Sequence, residues 1–337
     1  MNKLKIILRV IIFAIIGIIL FLLITPIFVP KTIYKTILQG FYDEPKNTID
    51  VVFIGDSSVY KGVSPLEIWK KHGITSYNYA SPTQKMWDSY YSIKEVLKYQ
   101  SPEVIVLSAD PLFSDKAMKD EYKRHFYDNI PLSKNKIQAM LDTVNKISKK
   151  QLLTYVFPFF RFHSRWNELD SKDFTRAYEN PHDPFKGFFL VNGEKPYKKG
   201  NYMKKKKDDK ISKKAEKYLE KIKKLCVDNK IELLLVEFPS PNTWNETKHQ
   251  EVTKWANQND VTFVDMNIEL ETIGIDWNKD TEDAGTHLNI YGAEKVSEYI
   301  GNYLAENYQL KSHKEDSKYK QWDEDLNIYE QYKKEKK

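Results

Sequence analysis

Cysteine is nearly absent from this chain: Cys226 is the only one among 337 residues. That excludes an intrachain disulfide framework and any zinc site built on clustered thiolates. A phosphate-cradling glycine loop and a His/Cys constellation with metal-ligand spacing are also missing, so no cofactor and no metal are expected. Arginine is scarce, with five among 53 basic residues. The net charge of +6 is mild and spread out. Its one dense run, Lys204 to Lys207, reads as a solvated linker ahead of an amphipathic helix in preference to a surface for an anionic polymer or lipid. Disorder is excluded by what is plentiful: 41% hydrophobic residues and 14% aromatics, including 22 Tyr.

The mean hydropathy of −0.60 suits a soluble protein, but it averages over a concentrated end. From Ile6 to Val29 only Arg9, Thr25, Gly17 and Pro26 interrupt an apolar run, and Val10 to Ile24 contains no polar side chain. A helix needs about 20 such residues to cross the hydrocarbon layer, whereas a cleaved signal has a core of roughly 7–15 followed by small residues. Thr25-Pro26-Ile27-Phe28 offers no small-x-small site. The run therefore reads as an uncleaved signal anchor. Its basic N-terminal flank (Lys3, Lys5, Arg9) places the N-terminus in the cytoplasm and the rest of the chain outside, at the cell membrane.

Beyond the anchor (1–30) and a juxtamembrane helix (31–48), strand and helix signals alternate. Short strand-like runs at Ile49–Ile54, Ser76–Ala80, Glu103–Ser108, Ile231–Phe238 and Val261–Asp265, the first of them β-branched, are separated by helical segments. Such alternation implies an α/β fold with a parallel sheet covered on both faces. Residues 113–205 break the rhythm and read as an aromatic, helical insertion packed over one end of the sheet of a 49–310 domain. The charged tail 311–337 reads as a loose, partly helical appendage, with Trp322 and Tyr329 as possible docking points.

In open α/β sheets, sites form beyond the carboxyl ends of the strands. Gly55-Asp56-Ser57 directly follows the first strand, and the glycine permits a tight turn and close backbone approach. Near the other end of the chain, Asp283-Ala284-Gly285-Thr286-His287-Leu288-Asn289 precedes the last helix. A strand-end serine, a histidine and an acid can converge into a nucleophile, a base and its orienter. Asp283 is the first choice for the acid and Asp280 the substitute. Arg161 and Arg165, beside His163 and Trp166, are either bidentate anion contacts or internal staples to Asp170 or Asp173. Trp87 and Trp244 read as core or pocket wall, and Cys226 as a buried small hydrophobe.

These blocks resemble the SGNH (GDSL-like) hydrolase superfamily. Gly55-Asp56-Ser57-Ser58 is similar to its first block and Asp283 to Asn289 to its last. With the N-terminal anchor and Asn78-Tyr79-Ala80-Ser81-Pro82-Thr83-Gln84, the chain looks like a membrane-anchored bacterial group related to the teichoic acid D-alanyl transfer protein and the alginate O-acetylation proteins. The resemblance covers roughly 50–110 and 231–304, and Phe162 to Trp166 resembles a motif of that group. It implies a flavodoxin-like three-layer α/β/α fold, Ser57 as nucleophile, His287 as base and Asp283 as orienter. It implies oxyanion donors from the N–H groups of Ser57 and of Ala80 or Ser81, with Asp56, His163, Arg165 and Trp166 toward substrate. The implied activity is O-acylation (acetyl or D-alanyl) of a cell-envelope polysaccharide or teichoic acid, alongside a membrane-bound O-acyltransferase. The alternatives are an esterase of the same polymers and a catalytically weak binding module. Two departures stand out: the acid precedes His287 by four residues instead of three, and the third strand ends Ser108-Ala109-Asp110, without the family's oxyanion Asn.

Overall fold

The computed structural model describes residues 3–116, 118–143, 148–178, 182–207 and 209–336. Five parallel strands form one sheet: β1 (Val51–Ile54), β2 (Ser76–Asn78), β3 (Val104–Ser108), β4 (Glu232–Glu237) and β5 (Thr262–Asp265), in the order β2-β1-β3-β4-β5. Helices in chain order are α1 (Lys3–Phe28), α2 (Ile33–Gly40), α3 (Ser57–Gly62), α4 (Pro65–His72) and α5 (Met86–Val96). The middle of the chain adds α6 (Asp120–Tyr127), α7 (Lys134–Thr143), α8 (Lys149–Val156), α9 (Phe159–Phe162) and α10 (Ser171–Thr175). The remainder are α11 (Lys213–Asp228), α12 (Glu246–Asn259), α13 (Leu270–Ile273), α14 (Ile290–Asn307) and α15 (Lys320–Lys336).

Alternate strand residues serve opposite faces, as the pleat requires. Val51, Phe53, Val104, Val106, Leu234 and Val236 pack with Val59 of α3, Ile68 of α4 and Val296, Ile300 and Leu304 of α14. Val52, Ile54, Ile105, Leu107 and Leu235 pack under α5, α11 and α12, with Trp87, Leu219 and Val252 among their partners. This is the expected three-layer α/β/α fold, doubly wound, and its strand order reverses between β1 and β3. In open α/β sheets such a switch point, at the carboxyl ends of the two strands, is where ligands bind.

Two regions depart from expectation. The tail is not loose: α15 lies against α4, and Tyr319, Trp322 and Tyr329 are buried. Trp322 packs on Trp69 with ring centroids 5.3 Å apart and planes tilted by 38°, and the Trp69 indole N–H donates to Asp323 at 2.9 Å. An aromatic every few residues along an otherwise charged helix was enough to bury one stripe of it. The fully buried Lys186 joins both ends of the domain, its ammonium 2.6 Å from Glu44 and 2.7 Å from Asp325. Burial alone would lower this lysine's pKa, but the two carboxylates hold it above the usual value. The insertion also covers more than a sheet end. Its α7 flanks α5, while α9, α10 and the 3-10 turn His163–Asn167 pack on α1.

Helix α1 is long and apolar enough to cross a membrane, and none of its hydrophobic window is buried in the protein. Its last carbonyls are satisfied by the Lys31 ammonium, which donates to Pro26, Ile27 and Val29 O at 2.7–3.0 Å.

Candidate active site

Ser57 is the first residue of α3, directly beyond β1, where the chain turns sharply enough to lift Oγ off the sheet edge. Gly55 is required in that turn, because a Cβ there would meet Val59 Cγ2 at 2.6 Å and Ser108 Cβ at 2.7 Å. Asp56 caps α3, its carboxylate accepting from the Ser58 N–H at 3.0 Å and the Ser58 hydroxyl at 2.8 Å. Expected as a substrate contact, Asp56 is occupied as a cap. At the far end of the chain, Asn289 caps α14 through the N–H groups of Tyr291 and Gly292 and fixes the loop before it by donating to Gly193 O and Lys279 O.

The two loops meet. His287 Nε2 lies 2.8 Å from Ser57 Oγ, and His287 Nδ1 lies 2.6 Å from Asp283 Oδ2. Asp283 Oδ1 also accepts from the Thr286 N–H at 3.0 Å and the His287 N–H at 2.8 Å. Burial would raise the Asp283 carboxyl. The hydrogen bonds from the His287 amide and ring and from Thr286 outweigh it, holding the group below the usual carboxylate range. It therefore stays ionised and directs its proton-bearing partner, Nδ1. Asp280, the substitute, is engaged elsewhere: it pairs with Lys295 at 2.6 Å and accepts from the Asp276 N–H at 2.7 Å.

The extra residue between acid and base is absorbed by two successive left-handed positions, Ala284 (φ 62) and Gly285 (φ 95). They coil the loop so that an acid four residues back still reaches the ring. A Cβ on Gly285 would sit 2.8 Å from Pro241 Cγ and 2.9 Å from Tyr197 Cδ2. Gly285→Ala is therefore expected to displace His287 and lower kcat by at least about tenfold, since even a 1 Å misplacement can cost about 10². Ala284→Gly, which relieves an αL alanine, should retain activity and serves as the comparison.

Ser81 is removed as an oxyanion donor. Its N–H donates to Gly55 O at 3.2 Å and its hydroxyl to Gln84 Oε1 at 3.0 Å. Tyr79 N–H likewise faces β1, bonding Phe53 O at 2.9 Å, and Ala80 between them is buried. Thr83 in the same turn holds φ 53, and its buried hydroxyl has no hydrogen-bond partner. No sequence signal marks that left-handed threonine.

Of the two readings of Arg165, the structure shows the staple to Asp173. It donates to Phe28 O at 2.6 Å and to Asp173 at 3.2 Å, and lies 3.7 Å from Glu168. Arg161 pairs with Asp120 at 3.0 Å. His163 and Trp166 share the exposed turn beside α1, on elements separate from those that carry Ser57 and His287. Trp244 is core, its indole N–H donating to Asp265 at 2.7 Å, and Trp87 is buried. Cys226 is buried, which pushes its thiol up to about 12.

Sequence reasoning passed over the charged groups around Ser57, His287 and Asp283. Glu282 Oε1 is 3.6 Å from His287 Nδ1 and is ion-paired to Lys61, one helical turn after Ser57. Glu282, Asp283 and His287 could group around a cation. The short Asp283–Nδ1 bond and the Lys61 ammonium already satisfy that cluster. Beneath the site, Glu237 at the end of β4 is fully buried. One oxygen accepts the Asp110 N–H at 2.8 Å and the other has no partner. Burial, with Asp110, Asp265 and Asp56 nearby, pushes the Glu237 carboxyl well up. The native state thus binds this proton more tightly than the unfolded chain. Above the ordinary glutamate range, wild-type stability should fall with rising pH by about 1.4 kcal/mol per pH unit until the native group ionises. Glu237→Gln lacks this titration. Urea unfolding from about pH 5 to about pH 7.5 should show the variant gaining on wild type as pH rises; a pH-independent difference would refute the assignment.

No protein-family profile matches the chain, and no curated protein matches it. Solved structures similar to it include a "putative acylhydrolase" from Bacteroides fragilis, at 13% identity and a TM-score of 0.39, covering 82% of this chain and 99% of that one. A GDSL-like lipase from Bacteroides thetaiotaomicron is similar at 11% identity and a TM-score of 0.40, covering 82% and 98%.

Proposed function

We propose that the chain is a membrane-anchored serine acyltransferase that O-acylates a cell-envelope polysaccharide or teichoic acid on the outer side of the membrane. The observation that carries the reading is the continuous relay from Ser57 Oγ through His287 to Asp283. Ser57 Oγ attacks the acyl carbonyl while His287 Nε2 takes its proton. Asp283 stabilises the imidazolium, and the N–H groups of Ser57 and Ala80 face the oxyanion. Collapse expels the donor's leaving group, which takes the proton from Nε2 and leaves an ester on Ser57. An acceptor hydroxyl then gives its proton to His287 and attacks the ester, releasing the acylated polymer and free Ser57. Water as acceptor would make the same site an esterase.

The anchor and its basic cytoplasmic flank support the location, since an enzyme tethered by α1 works within reach of lipid-linked and wall-linked polymers. The acyl donor is handed over by a membrane-bound O-acyltransferase on this reading. A fluorophosphonate probe should label wild type at Ser57 and leave Ser57→Ala unlabelled. A Ser57→Ala strain should lose ester-linked acyl groups from its envelope polymers. Unlabelled wild type with normal polymer acylation in the variant strain would refute the reading. Labelling with a rise in polymer acylation in the variant strain would identify an esterase.

A further inference from the structure

We propose that residues 153–178 of the insertion form a second membrane contact, an interfacial foot seated in the lipid beside α1. The proposal rests on α1 being a membrane span.

The first observation is where the insertion touches α1. Phe157, Phe159 and Phe160 surround Phe21, with ring centroids 5.3–5.8 Å apart, and Phe159 also packs on Phe28 at 5.0 Å. Polar links lock the same junction: Arg165 and Tyr178 donate to the Phe28 and Leu23 carbonyls, and Lys31 pairs with Asp173 at 3.4 Å. Phe21 stands seven residues before Phe28, the last residue of α1. At 1.5 Å per residue that is about 10 Å inside the span. Interfacial segments bury their apolar faces about 5–10 Å into the headgroup and acyl boundary. A group that touches Phe21 therefore lies at that depth.

The second observation is what the foot leaves uncovered. Leu153, Phe160, Trp166, Phe174 and Tyr178 are 49–73% exposed. Apolar side chains of this size, gathered within one short segment, are uncommon on a surface that faces only water. Trp166 and Tyr178 are the residue types that collect at the membrane–water boundary, and the exposed Lys150 and Lys172 suit contact with phosphate headgroups. The patch is continuous with α1, so the lipid that surrounds the span reaches it without any further partner. A tether by α1 alone would leave the domain free to swing. With the foot seated, its tilt is fixed and the site is held at one height above the bilayer.

Full-length protein can test this with single cysteines carrying an environment-sensitive fluorophore (NBD). The native Cys226 thiol is buried and pushed up to about 12, so it stays unlabelled. Labels replace Phe160, Phe174, Phe13 in α1 and Val227, which is 66% exposed on α11. The protein is reconstituted in phosphatidylcholine–phosphatidylglycerol vesicles at three to one. Labels at Phe160→Cys and Phe174→Cys should be blue-shifted and several-fold brighter than at Val227→Cys. Nitroxide lipids should quench them and aqueous iodide should not. Phe13→Cys should behave as a deep lipid site. Lipid quenching at Phe13→Cys, with iodide quenching at Phe160→Cys and Phe174→Cys, would overturn the foot while leaving the anchor intact; a protein partner would then be the better occupant. Iodide quenching at Phe13→Cys would overturn the anchor and the foot together.

Discussion

Replacing His287 by alanine is expected to lower kcat on an activated ester by roughly 10⁶, and Asp283→Asn by roughly 10⁴. The two magnitudes differ because the residues act on different parts of one proton transfer. Without His287, Ser57 Oγ has no acceptor 2.8 Å away and attacks as a neutral hydroxyl. With asparagine at 283, an amide N–H can face Nδ1, so the ring presents its proton to the serine and loses its basic Nε2. Glu282 stands 3.6 Å from Nδ1, but its carboxylate is tied to Lys61. Glu282→Gln should therefore cost no more than about tenfold, as a group outside the relay. The double variant His287→Ala/Asp283→Asn should be no slower than His287→Ala, because an orienter has no effect without the ring it orients. Single-turnover kinetics on all four proteins would check this. A multiplicative double variant, or His287→Ala with near-wild-type turnover, would remove the triad from the mechanism.

Lys186→Met is expected to destabilise the domain by about 3–5 kcal/mol, the range for removing one member of a buried ion pair. The cost does not come from lost attraction alone. Glu44 and Asp325 would remain buried without their shared counter-ion, and Asp325 would keep, among the described residues, the His182 ring at 2.7 Å and Gln321 at 3.1 Å. In a chain of this size the loss corresponds to a drop in Tm on the order of 10 °C. Because the pair is buried, added salt should leave the difference in place. Trp322, whose ring lies 4.8 Å from the ammonium, should report release of α15 as a red-shifted emission. A Tm within about 2 °C of wild type would show that the tail is held by its aromatic stripe alone.

The sheet was legible because its signals are local. β1 to β5 fall inside the five strand-like runs, and α14 spans the helical segment after Asn289. The meeting of Ser57 with His287 was legible for a related reason. A serine after a strand-end glycine and a histidine before a capped helix both occupy positions that local geometry already constrains. The docking of α15 was not legible, because its composition is that of a solvated helix and only burial of Trp322 and Tyr329 against α4 decides otherwise. The role of Arg165 was open between substrate and staple until Asp173 and the Phe28 carbonyl stood beside its guanidinium.

Read alone, the sequence determined the order of strands and helices, the apolar reach of α1 and the residue types able to carry acyl transfer. Those properties depend on periodicity, length and side-chain chemistry, which neighbours in the chain dictate. Tertiary structure alone decided that Asp283 and not Asp280 orients the ring, that Ser81 is spent on the sheet, that Glu237 is buried with an unpaired oxygen, and that the insertion touches α1. Each of those turns on which distant groups meet and how much water remains between them, and no local pattern encodes that.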